Sequence, residues 1–282
     1  MSFSQVMRHD FPEEVPRPGR LAALRERIRH IEQPASHGVL PFGVAAIDRA
    51  LPGGGLALGA VHEILGIGGD EEDGAAACGF IAGLLARLRM GPVLWCVKRP
   101  DLYGPGLLAH GLDPARLVIV TAPRDEDILW AIEEGLRAPG LVAVIGEIGR
   151  LPLVVGRRLQ LAAERSGITA FLLRRWRNGE EAARERERPS AAVTRWRIAA
   201  LPAREVDDLR LRQLIGQPRW RVELLRCRGG VPAQWVVESG DVEVADATGH
   251  VRLSPELADR PAAAVDRKEG RLAAEPLQRR TG

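Results

Sequence analysis

Lysine is almost missing from this chain: of its 40 basic residues only Lys98 and Lys268 are lysine, and neither follows a glycine-rich loop. Chemistry that needs a lysine at the end of such a loop is therefore excluded in every register. Cysteine is scarce as well. The three present, Cys78, Cys96 and Cys227, are scattered and odd in number, which argues for buried thiols in a reducing compartment and against a disulfide framework. The histidines stand apart from one another, so no metal-ligand spacing appears and neither a metal nor another cofactor is expected. No apolar run reaches the ~18 residues of a membrane helix, and no short apolar stretch follows a basic one. These absences predict a cytoplasmic protein. A strong charge of either sign is also lacking, since the formal net charge is +3 and no global field selects nucleic acid or membrane. What remains is 45% hydrophobic and 27% charged over 282 residues, enough for one large domain or two small ones.

The most informative stretch is the glycine-rich one. Gly53-Gly54-Gly55 forms a turn, Ala60–Leu65 a short strand, and a second glycine-rich loop, Gly66–Gly74, leads into a helix expected from about Ala75. Strand, glycine loop and helix in that order are the layout of a phosphate-binding P-loop, G-x-x-x-x-G-K-[ST]. Here Gly69 and Gly74 keep the spacing, but Ala75 stands at the lysine and Ala76 at the metal-binding hydroxyl. Asp70, Glu71, Glu72 and Asp73 fill the part whose backbone would cradle phosphate, where like charge repels a polyanion. Two readings stand: a nucleotide loop that has lost its chemistry, or an ordinary acidic turn.

Along the chain, residues 1–20 are polar and proline-bearing, after which Leu21, Leu24, Ile28 and Ile31 recur at helical spacing up to Pro34. That amphipathic helix either packs on its own domain or docks a partner. A short helix is expected at Gly43–Leu51. Beyond the glycine loop, Phe80, Ile81, Leu84, Leu85 and Leu88 mark one buried helix face. Strands are expected at Val93–Val97, Leu117–Thr121, Leu141–Ile145 and Ile168–Leu173, with helices at Leu107–Gly111, Asp125–Arg137 and Leu153–Arg165 between them. Apolar strands alternating with helices predict an α/β fold with a mostly parallel sheet covered on both faces. Then the pattern changes. A run of mixed charge, Arg174–Arg188, precedes strand-like segments at Ala192–Leu201, Arg219–Arg226 and Gln234–Ser239, which predict an antiparallel meander at the C-terminal side. The expected organisation is a lead-in and helix over residues 1–37, a core over 38–240 and a polar, flexible tail over 241–282.

From Gly38 to Ser239 the order of pieces resembles the RecA core. The phrases "ALPGGGLALGAVHEILG", "VLWCVKRP", "DLYGPGLLAHGLDPARLVIV" and "LVAVIGEI" carry the likeness. More narrowly, the chain is similar to the ImuA family, RecA- and SulA-related proteins of bacterial damage-induced mutagenesis operons. The departures bear on activity. The resemblance implies a loop ending in Gly-Lys-Thr, whereas the longer Gly66–Gly74 loop ends in Gly74-Ala75-Ala76. It implies a Walker B aspartate where Gly146 stands, with Glu147 one position late and expected as a solvated loop carboxylate. It implies a water-activating glutamate where Lys98 stands. Phosphoryl transfer needs a lysine, a metal and a water-orienting group, so the chain is expected not to be an ATPase.

The resemblance also implies that Arg174, Arg175, Trp176 and Arg177 occupy a DNA-facing loop, where arginines pair with phosphates and the indole stacks on a base. Glu180, Glu181, Glu185 and Glu187 dilute that charge and fit a solvated loop equally. Arg226 and Arg228 fall where RecA carries basic residues reaching a neighbour's ATP; here they are read as structural or partner contacts. The function implied is a non-catalytic adaptor in error-prone translesion synthesis. Its implied partners are an ImuB-like inactive Y-family polymerase relative, an error-prone C-family polymerase and RecA itself. The alternatives are a SulA-like inhibitor of cell division and a DNA-dependent ATPase with a non-standard loop.

Overall fold

A computed structural model describes residues 37–67, 70–88, 91–176, 178–202, 218–239 and 251–253. The segment carrying Leu21, Leu24, Ile28 and Ile31 lies outside the described residues, as do Gly69 and Arg177. Strands β1 (Val39–Leu40) and β2 (Leu56–Ala57) pair as a small antiparallel ribbon around helix α1 (Ala45–Asp48). The Gly53-Gly54-Gly55 run makes this ribbon possible. Gly53 and Gly54 adopt positive φ, and a Cβ on Gly55 would stand 2.6 Å from the Leu40 carbonyl oxygen.

The main domain follows as strand and helix in turn. Strand β3 (Val61–Gly66), helix α2 (Asp70–Ala86), strand β4 (Val93–Val97) and helix α3 (Gly104–Ala109) come first. Strand β5 (Leu117–Thr121), helix α4 (Asp125–Gly135), strand β6 (Ala143–Ile148), helix α5 (Leu153–Ser166) and strand β7 (Thr169–Arg174) continue the alternation. Helix α6 (Gly179–Arg186) then leads to strands β8 (Thr194–Leu201), β9 (Arg219–Cys227), β10 (Ala233–Ser239) and β11 (Val251–Leu253).

Nine strands form one sheet in the order β11-β10-β9-β8-β3-β7-β6-β4-β5. From β8 to β5 every neighbouring pair is parallel, and from β8 to β11 every pair is antiparallel. The first long strand, β3, is thus the middle one, flanked by β7 and β8. This is the α/β architecture that the alternation of apolar strands and helices predicts.

Side chains alternate across the sheet with the period of two that a strand imposes. Val93, Trp95 and Val97 of β4 enter one apolar cluster with Phe80, Ile81, Leu84 and Leu85 of α2. Leu94 and Cys96 enter the other, with Ile128, Leu129 and Ile132 of α4 and Leu159 and Ala163 of α5. Burial on the order of 2 kcal/mol per large side chain makes these two layers the main support of the fold. The meander closes the first layer, where Trp196 stacks against Phe42 and Phe80 at centroid distances of 5.3 and 6.0 Å.

Several boundaries differ from the sequence reading, helix α3 among them at Gly104–Ala109 in place of Leu107–Gly111, and four differences bear on the edge or the sheet. Helix α2 begins at Asp70 rather than near Ala75. Strand β6 extends to Ile148, beyond the expected end at Ile145. The mixed-charge run is not a loop: α6 forms within it, capped by the Asn178 side chain, which accepts from Glu181 N at 2.9 Å. Strand β11 arises from residues expected in the flexible tail and extends the sheet beyond residue 240.

Candidate functional site: the carboxyl edge of the parallel strands

In an open α/β sheet, ligands bind in the crevice outside the carboxyl ends of the parallel strands. At this edge β3 ends at Gly66 and α2 begins at Asp70, leaving only residues 67–69 between them. The expectation of a long Gly66–Gly74 loop is therefore corrected: Gly74, Ala75 and Ala76 lie inside the helix, with Ala76 buried. Arg186 of α6 holds this short connection, donating from Nη2 to the Ile67 carbonyl at 2.6 Å.

The next strand end is closed from both faces. Gly146 stands at the position resembling the Walker B aspartate, and a Cβ there would lie 2.1 Å from Ile132 Cδ1. Helix α4 thus packs where a side chain would begin. Glu147, expected as a solvated loop carboxylate, is instead fully buried in β6. That correction has a clear cause: the strand is longer, and Arg175 supplies a partner. Its Nη1 donates to Glu147 Oε2 at 2.7 Å, and its Nη2 donates to Asp101 Oδ2 at 2.8 Å. Burial pushes the Glu147 carboxyl above the usual carboxylate range, against the opposing pull of Arg175. The same burial, with Glu147 nearby, raises the Cys96 thiol to about 12.

Lys98, at the end of β4, is engaged too. Its Nζ lies 2.6 Å from Asp125 Oδ1, and that carboxylate also accepts from the backbone N–H groups of Gly149 and Arg150 at 3.1 and 2.9 Å. Partial burial would raise the Asp125 carboxyl, but Lys98 and the two amides outweigh it and hold the pKa low.

On the other face of the sheet the middle strand carries a second buried carboxylate, Glu63. Arg195 of β8 donates to its Oε2 at 3.0 Å, Arg174 of β7 reaches the same oxygen at 3.4 Å, and the Ser190 hydroxyl donates to Oε1. Arg174 continues to Glu185 of α6 at 3.1 Å and to the Gly149 carbonyl at 2.7 Å. Arg195 caps the end of α6 through the carbonyls of Arg186 and Arg188, both at 3.0 Å. Trp176 lies beneath this lattice, with Arg174 over its ring at 5.5 Å and its indole N–H donating to Gly149 O at 3.0 Å.

The placement of Arg174 and Trp176 corrects the expectation of a DNA-facing loop. Both are buried, with Arg174 Nη2 donating to Gly149 O and Glu185 and the Trp176 indole N–H to Gly149 O, so neither offers a phosphate contact or a stacking face. Arg175 is committed to Glu147 and Asp101. Arg226 and Arg228, at the far end of β9, turn toward the segment before β8: Arg226 donates to Ser190 O and Arg228 to Ala191 O at 3.4 Å. Arg228 also lies 3.7 Å from Glu164 of α5. Their observed contacts are structural.

Sequence reasoning passed over the roles of Glu63, Arg195 and Ser190, and it read Glu185, which is buried against Arg174, as part of a solvated loop. One signal was available for the first, since a lone acid inside an apolar central strand requires a buried partner. For α6, the run Asn178-Gly179-Glu180-Glu181 is close to a capping box. Among the described residues no cluster of three or more His, Cys, Asp or Glu is placed to hold a metal, and no helix is long and apolar enough to cross a membrane.

Fold and edge together define the class: an α/β protein with a mostly parallel sheet, antiparallel strands at its C-terminal side and a carboxyl edge occupied by its own ion pairs. No family model matches the chain. Protein ImuA of Caulobacter vibrioides strain NA1000 / CB15N is 41% identical over 238 residues, spanning 81% of this chain and 93% of that protein. The same figures hold for Protein ImuA of strain ATCC 19089 / CIP 103742 / CB 15. The chain belongs to the ImuA family.

Proposed function

We propose that this chain is a non-catalytic adaptor of DNA-damage-induced error-prone translesion synthesis. Its family supports a role in damage-inducible mutagenesis. The observation that carries the non-catalytic part is the lattice across the carboxyl edge, where Arg174 and Arg175 bind Glu63 and Glu147 from opposite faces of the sheet. A nucleoside triphosphate entering there must displace buried ion pairs, and stripping one partner from such a pair costs about 3–5 kcal/mol. It would then meet Ala75 and Ala76 in place of a lysine and a hydroxyl. Phosphoryl transfer works through positioned charges, and here the charges are engaged with one another.

The adaptor joins an ImuB-like inactive Y-family polymerase relative to an error-prone C-family polymerase, with RecA as a further contact, and is nucleoid-associated when assembled. Calorimetric titration with ATP and magnesium, with and without single-stranded DNA, tests the first half. Micromolar binding would sink the reading, whereas no heat where RecA binds supports it. Pull-down against the ImuB-like protein and against the tubulin-like division protein tests the second; capture of the latter alone would favour the SulA-like alternative.

A further inference from the structure

Helices α4 and α5 pack side by side on one face of the sheet and leave a groove on their outer side. Its cavity of about 410 Å³ is lined by the apolar side chains of Leu136, Leu161 and Ala162, with Arg137, Arg158 and Arg165 at its rim. Glu133 lies between the helices, 7% exposed, and accepts from Arg137 at 2.6 Å and from Arg158 at 2.7 Å.

Exposed apolar residues lie on both helices, and Leu161 lines the groove itself. On α5, Val154 is 75% exposed and Leu161 is 53% exposed. With Arg158 and Arg165 they recur at helical spacing along one stripe. On α4, Trp130 is 65% exposed. A single exposed hydrophobe needs no explanation. Val154 and Leu161 at helical spacing on α5, with Trp130 exposed on the neighbouring α4 and a cavity with an arginine rim beside them, match the groove into which an amphipathic helix lays its apolar face.

Charge selects the occupant. Three guanidiniums against one carboxylate leave the lining positive, and the carboxylate is already shared by two of them. The chain's own apolar stripe at Leu21–Ile31 carries Arg25, Arg27 and Arg29 with only Glu26, the wrong sign for this rim. We propose that the α4–α5 groove is a docking site for an acidic amphipathic helix of a partner protein. The partner's apolar stripe rests on Trp130, Val154 and Leu161, and its flanking carboxylates pair with Arg158 and Arg165. This surface is separate from the closed carboxyl edge, so the proposal survives if the adaptor reading fails.

The test uses the full chain and two fluorescent helical peptides of about 18 residues, long enough to follow a groove of roughly 21 Å. One has a leucine stripe flanked by glutamates and the other the same stripe flanked by lysines. Anisotropy is expected to show saltable binding of the acidic peptide only. Leu161→Asp should weaken it at least about tenfold, and Arg158→Glu/Arg165→Glu should transfer the preference to the basic peptide. Thermal melting of each variant guards against loss of fold. Equal binding of both peptides, or unchanged binding by both variants, overturns the proposal. So does binding of a single-stranded oligonucleotide to the groove in place of the peptide. Self-association that Leu161→Asp abolishes, without peptide binding, would instead assign the groove to a second copy.

Discussion

Arg175 lies 2.7 Å from Glu147, and the pair fastens the end of β7 to the buried end of β6. The carboxylate is fully buried and the guanidinium nearly so, so this bond is poorly screened by water. Its chief consequence is an asymmetry. Removing either partner strands a charge, whereas removing both does not.

Arg175→Ala is therefore expected to lower stability by about 3–5 kcal/mol, measured by urea unfolding near neutral pH. The Glu147 carboxyl already sits above its ordinary range, so the folded state takes up a proton more readily than the unfolded chain does. The Arg175→Ala deficit should consequently shrink as the pH falls, and Glu147→Gln in the same background should recover most of it. A deficit that does not depend on pH would show that packing, and not the stranded charge, is lost.

His62 gives a second pH signature. It is fully buried, with Nε2 against the Ala57 carbonyl at 2.8 Å and Nδ1 against Thr194 Oγ1 at 2.7 Å. The carbonyl can only accept, so the neutral ring donates from Nε2 and accepts at Nδ1. Burial lowers its pKa from 6.5 to about 4. The unfolded chain binds this proton more tightly, so the neutral ring's contribution is complete above pH 6.5 and lost as the pH drops toward 4. The loss amounts to about 3 kcal/mol. His62→Gln should flatten that part of the stability curve; an unchanged slope would assign it to other groups.

Gly146 has no room for a side chain. Gly146→Asp should destabilise by at least about 1–3 kcal/mol through overpacking against Ile132, with the buried carboxylate adding to it. It should confer no magnesium binding. Differential scanning calorimetry with and without magnesium checks both statements, and a magnesium-dependent rise in Tm would contradict the closed-edge description.

Ala75→Lys/Ala76→Thr restores the missing residue types without restoring the site. Both positions lie inside α2, and only residues 67–69 precede it. Titration with ATP is expected to remain silent. Measurable affinity would mean that the connection opens further than its length suggests.

The layers of the fold were legible because they rest on local pattern. Strands Val93–Val97 and Leu117–Thr121 have the expected limits, since short apolar runs bounded by turn residues have few alternatives. The closed edge was not legible. Glu147 follows an apolar run, and an acid there looks like the first residue of a loop until its partner, 28 positions away, is known. Helix α6 has no apolar stripe, so periodicity gave no sign of it. The arginines of the mixed-charge run suggested an exposed surface because composition cannot tell a solvated guanidinium from one buried against carboxylates. The outward stripe of α5 was not read either, because only the extent of that helix, and not its faces, was taken from the sequence.

The middle position of β3 has a consequence for biosynthesis. This strand is the first long one to leave the ribosome, yet its neighbours β7 and β8 begin only at Thr169 and Thr194. The bonds that neutralise Glu63 from Ser190 and Arg195 span 127 and 132 positions. During elongation the growing polypeptide therefore holds an unmatched carboxylate in what will become its centre. Long-range pairing of this kind slows folding and leaves strand edges open to aggregation. Pairing of β3 on both sides thus waits on translation of the third quarter of the chain, and a transcript cut short before β8 yields a product that cannot close its own core.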